Sequence, residues 1–119
     1  MDRTDNSSKQ GFRQGDLVIA PIQYTDFRGM KFRLSIVISN NFYNKRNHDY
    51  LLVPLTSETR DIYSIIISQD DLSYGDYTGV SCLRFDKIQV TNKKVIRDYI
   101  GTLKVQVMQK IINDVRSLF

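Results

Sequence analysis

Histidine occurs once in this chain, at position 48, and cysteine once, at position 82. One histidine excludes a two-histidine acid–base pair within a single chain, and there is no Cys/His cluster to hold zinc. A lone cysteine cannot close an internal disulfide, which suits a reducing, cytoplasmic setting. Carboxylates do not gather either: Asp70 and Asp71 are the only adjacent pair, and Asp61, Asp76 and Asp86 show no ligand spacing. A two-metal nuclease needs several convergent carboxylates, so that class ranks low. Neither a metal nor another cofactor is expected. No apolar run approaches the ~20 residues of a membrane span, so no membrane partner is expected. The phosphate-loop pattern GxxxxGK[ST], internal repeats and Pro/Gly-rich linkers are also missing. Any hydrolase built from this inventory works with Arg, Thr, Ser, Tyr or Lys.

What is present fits one small domain. The chain has 119 residues, 41% hydrophobic and 25% charged, enough for a modest core. Residues 1–10 (MDRTDNSSKQ) carry acids and no apolar segment, so they read as a disordered polar tail and not as a signal peptide. Residues 11–119 form the domain. Seventeen Lys/Arg against thirteen Asp/Glu give a net charge of +4, which permits a polyanionic partner without requiring one.

Residues 17–22 (LVIAPI) read as a strand that lies at an edge or ends near Pro21, because proline cannot donate to a ladder. A polar connection over 24–31 leads to a second strand at 32–39 (FRLSIVIS), rich in branched residues. Residues 40–49, with four asparagines, read as a loop that leaves His48 solvated. Further strands are expected at 50–55, 63–68, 80–85 and 87–91, with Cys82 a buried structural thiol in mid-strand. Only the end of the chain has helical period: Val105, Met108, Ile111, Ile112, Val115 and Leu118 form one apolar stripe, with Thr102 at the expected N-cap. Short strands closed by one amphipathic helix predict a mainly β fold, a small barrel or twisted sheet with the helix packed across it.

Two short strings stand out, Lys31–Phe32–Arg33–Leu34–Ser35–Ile36–Val37–Ile38–Ser39 and Val53–Pro54–Leu55–Thr56–Ser57. Each alone is ordinary: arginine often marks a sheet rim, and Thr-Ser often forms turns. In order, however, Gly15–Asp16–Leu17–Val18, the arginine strand, the P-x-T-S string, Ser81 to Ile88 and Ile100–Gly101–Thr102–Leu103 resemble the MazF/PemK toxins of toxin–antitoxin pairs. The resemblance spans residues 11–119. It implies an SH3-like barrel of the CcdB–MazF type and a toxin that cleaves single-stranded RNA without metal. Attack by the ribose 2′-hydroxyl leaves a 2′,3′-cyclic phosphate and a 5′-hydroxyl. The family's key arginine falls on Arg33 and its key threonine on Thr56, with Ser57 and Glu58 in supporting positions. Leu34 stands where the family usually has proline.

Guanidinium offers a planar donor fork to phosphoryl oxygens, and a threonine hydroxyl can add a donor to the same developing charge. Arginine is a poor proton acceptor, so the general base stays unassigned. Tyr24, Phe27, Phe42 and Tyr43, interleaved with Arg28, Lys31, Lys45 and Arg46 in the loops flanking the Arg33 strand, are the candidate RNA-binding residues by stacking and charge. The resemblance further implies a homodimer silenced by a cognate antitoxin with an acidic tail. Two alternatives remain on sequence: a gyrase-poisoning toxin of the CcdB type, or a nucleic-acid-binding module without catalysis.

Overall fold

A computed structural model describes residues 11–23, 29–57 and 62–119. The expected tail over 1–10 and the candidates Tyr24, Phe27, Arg28 and Glu58 lie outside the described residues.

Strands β1 (Asp16–Gln23), β2 (Met30–Val37) and β3 (Asp49–Thr56) form an antiparallel meander. Helix α1 (Asn41–Arg46) joins β2 to β3. The chain continues through β4 (Ser64–Ser68), β5 (Leu72–Gly75), β6 (Val80–Arg84), β7 (Gln89–Asn92) and β8 (Tyr99–Leu103) to helix α2 (Val105–Arg116). The ladder runs β4-β6-β3-β2-β1-β8-β5, with β7 also on β3. Two reciprocal bonds tie β7 back to β1: the Gln23 N–H donates to Gln89 Oε1 (3.1 Å), and Gln89 Nε2 donates to the Gln23 carbonyl (2.8 Å). This is the mainly β architecture expected, with the C-terminal helix packed on its main core.

The first three strands carry dense apolar runs because both faces of β1, of the second half of β2 and of much of β3 are buried. Leu17, Ile36, Ile38, Val53 and Leu55 join the main core, with Ile67, Leu83 and the helix residues Met108 and Ile111. The alternate residues Val18, Ala20, Val37, Tyr50 and Leu52 build a second core covered by Phe12 and Ile96. Pro21 fits a doubly paired strand for a directional reason. The Ile19 N–H points away from β2, to the Asp98 carbonyl at 3.0 Å. By the two-residue period the Pro21 nitrogen faces that same side, beyond the end of that pairing.

Several expectations are corrected. Residues 40–49 are not all loop, because three of the four asparagines there support α1. Asn40 Oδ1 caps the helix from the Tyr43 N–H (2.8 Å), Asn44 is buried against Ser39, and Asn47 donates to the Tyr43 carbonyl. Thr102 is not an N-cap. It lies inside β8, and Lys104 occupies the cap position without a side-chain bond. Within the expected stripe, Met108 and Ile111 are buried, but Val105 is exposed and Leu118 lies past the helix end. Strands β5 and β8 were not foreseen. They sit back to back at two glycines, Gly75 and Gly101, which face each other in register.

Candidate active site

Strand register puts Arg33 and Thr56 at matching positions past the end of one ladder. The last rung between β2 and β3 joins Ser35 to Pro54. Arg33 and Thr56 lie two residues beyond it on their respective strands, so both project from the face that carries Ser35 and Pro54. Beyond that rung β2 stays with β1, where Arg33 opposes Ala20, while β3 pairs with β6, where Thr56 opposes Cys82. The two strands thus part at Pro54, with the guanidinium on one wall of the split and the hydroxyl on the other. Both residues are half-buried, which keeps stems packed and polar heads near solvent.

The surroundings stiffen this rim. Ser35 is fully buried, and its hydroxyl donates to the Arg33 carbonyl at 3.2 Å. Leu34 opposes Ile19 in the β1–β2 ladder and packs on the main core. The ladder therefore holds the backbone extended without proline. Lys31 shares the Arg33 face and is exposed, opposite Ile22. Ser57 is exposed where β3 ends. Arg84, next along β6, is committed elsewhere: it grips Asp86 through two bonds of 2.8 and 2.7 Å. The hydrogen bond from Arg84 holds the Asp86 carboxyl below its ordinary range, against a smaller opposing effect of burial. Ser35 and Gln89 escaped the sequence reading, because a single polar residue within or beside an apolar strand leaves no spacing signal.

The remaining sequence candidates lie elsewhere. Phe42, Tyr43, Lys45 and Arg46 belong to α1, which follows the opposite end of β2 from Arg33. At ~3.3 Å per strand residue, the end of β2 is roughly 13 Å along the strand from Arg33, with residues 38–40 still to follow before α1. The structure therefore does not bring these four to the Arg33 rim. Tyr43 instead lines a groove of about 1230 Å³ with Ile38, Leu51, Met108, Ile112 and Phe119. Among the described residues no group of three His, Cys, Asp or Glu side chains is placed to share a metal ion.

Comparison with known proteins places this chain in a family. No curated protein sequence matches the chain. The fold resembles an endoribonuclease in complex with its cognate antitoxin from a mycobacterial species, at a TM-score of 0.72 and 20% identity. That match covers 90% of this chain and 93% of the other. MazF from Deinococcus radiodurans gives a TM-score of 0.72 at 16% identity, covering 90% and 94%. The Mycobacterium tuberculosis toxin MazF-mt6 gives 0.64 at 14%, covering 84% and 93%. Residues 13–119 match the sequence profile of the PemK-like, MazF-like toxins of type II toxin–antitoxin systems, so the chain belongs to that family.

Proposed function

We propose that this protein is an endoribonuclease toxin that cuts single-stranded RNA at a short sequence without metal. The observation that carries the reading is that Arg33 and Thr56 each lie two residues past the last β2–β3 rung, on one face of strands that part there. In-line attack by a ribose 2′-hydroxyl builds negative charge on the non-bridging phosphoryl oxygens. The Arg33 guanidinium donates to two of them at once. The Thr56 hydroxyl donates to the same charge from the opposite wall. The bond to the 5′-oxygen breaks, leaving a 2′,3′-cyclic phosphate and a 5′-hydroxyl. Lys31, on the same face, adds electrostatic attraction for the incoming strand.

The protein works as a homodimer in the cytoplasm, and a cognate antitoxin with an acidic segment silences it by occupying the same rim. Solved structures of relatives with an antitoxin bound support that part. Among the described residues no helix is long and apolar enough to cross a membrane.

Incubation of purified protein with varied RNAs in EDTA tests the reading. Cleavage persists in the chelator, and products carry cyclic-phosphate and 5′-hydroxyl ends. Arg33→Ala and Thr56→Ala each lower kcat by roughly 10²–10³-fold. RNAs left intact by wild-type protein that instead blocks gyrase overturn the proposal.

A further inference from the structure

The end of α1 and the segment after β7 form one basic corner, at the end of β3 opposite Thr56. Asn92 opposes Asp49 in the β7–β3 ladder. The Lys93 N–H donates to the His48 carbonyl at 2.9 Å, and Lys93 Nζ donates to the Asn44 carbonyl. These bonds set Lys93 and Lys94 beside Lys45, Arg46 and His48. Residues 41–49 and 92–95 hold four cations and one carboxylate, Asp49, in a chain of net charge +4. Most of the positive excess is therefore in this corner.

Helix-end electrostatics explains only part of it. Cations favour a helix C-terminus, and Lys93 already serves the Asn44 carbonyl. Lys45, Arg46 and Lys94 remain exposed, and among the described residues no carboxylate comes within ion-pair distance of them. Phe42 adds an aromatic surface. Its ring is 66% exposed, and the Arg46 guanidinium covers one side at 3.6 Å from the centroid. Exposed cations beside an open aromatic face are what a flexible single strand uses, phosphates on charge and bases on rings. An acidic peptide would use the cations but leave Phe42 without a purpose.

We propose that this corner is a second RNA-binding surface, holding single-stranded RNA that flanks the bond cut at the Arg33–Thr56 rim. The inference rests on the ribonuclease reading for its substrate. It explains why Phe42, Lys45 and Arg46 lie too far from the rim to serve the reacting nucleotide. Long RNAs reach both places, and a short oligonucleotide at the rim reaches only one.

Binding to 2′-O-methylated strands, which lack the attacking hydroxyl, tests this in the full-length protein by fluorescence anisotropy across salt concentrations. Strands of ~25 and ~6 nucleotides bracket the reach of one small site. Lys45→Gln/Arg46→Gln/Lys94→Gln weakens the long strand by about tenfold and lowers the log–log salt slope by about 2. Phe42→Ala weakens it by at least ~5-fold. Affinity for the short strand and cleavage of short RNAs stay the same, and thermal unfolding verifies that each variant is folded. Unchanged long-strand binding, or equal loss at both lengths, overturns the proposal. So does loss of poly-glutamate binding with RNA binding intact, which would assign the corner to a protein partner. Long-strand binding through the corner by a protein that cleaves nothing would sink the ribonuclease reading and leave this surface standing.

Discussion

Replacing Asp16 with alanine tests whether the Gly15–Asp16 pair is structural and not catalytic. Asp16 is fully buried. One carboxylate oxygen accepts from the Arg13 N–H at 2.8 Å, and the other from the Thr102 hydroxyl at 2.9 Å, which in turn bonds the Tyr99 hydroxyl. Asp16→Ala removes the acceptor of two half-buried donors, each at a cost of about 1–3 kcal/mol. A loss of roughly 3–5 kcal/mol is expected from a total of about 5–15 kcal/mol. In a domain of this size that lowers Tm by roughly 10–20 °C. Urea and thermal unfolding measure the loss. Thr102→Val alone and combined with Asp16→Ala completes a double-mutant cycle, with an expected coupling of ~1–2 kcal/mol. RNA cleavage well below the new Tm should survive, since neither residue reaches the Arg33–Thr56 rim. Destabilisation below about 1 kcal/mol, or strict additivity in the cycle, refutes the network. A folded Asp16→Ala protein without activity refutes the structural assignment.

Gly101→Ala and Gly75→Ala should both destabilise strongly. A Cβ at Gly101 would stand 2.5 Å from the Tyr74 carbonyl oxygen, and one at Gly75 would stand 2.4 Å from that of Ile100, where φ is also +97°. Since backbone must move, losses of at least ~2 kcal/mol in urea unfolding are expected, and near-neutral variants would contradict the close β5–β8 approach. Tyr50 predicts an alkaline limit to stability. Burial, with a smaller push from Asp16, raises its phenol above 10.0, against the lowering effect of the hydrogen bond from the Phe12 N–H. Below pH 10 both folded and unfolded chains keep the proton; above it the unfolded chain loses it first, so stability falls as pH rises through the folded-state value. Tyrosinate absorbance should show one delayed ionisation that vanishes in Tyr50→Phe, and identical titration curves would rule this out.

The amino-acid sequence by itself determined the class of this protein. Dense apolar runs over 17–22, 32–39 and 50–55, and one stripe with helical period at the end, already require a mainly β fold with a covering helix. The single histidine, the single cysteine and the scattered acids narrow the chemistry before any coordinates. The order of the Gly-Asp, arginine and Pro-x-Thr-Ser strings points to the family whose sequence profile matches. Only tertiary structure decided which side chains share a place. Strand register puts Arg33 and Thr56 each two residues past the last β2–β3 rung, where the strands part, and register is a property of pairs of strands, invisible in either alone. Strands β5 and β8 were not expected because they are short, four and five residues, and each contains a glycine, which weakens the local strand signal. The aromatic and basic residues on both sides of the Arg33 strand look like one group along the chain. An extended strand holds its two ends far apart, and that separates α1 from the rim and joins it to Lys93 and Lys94 instead.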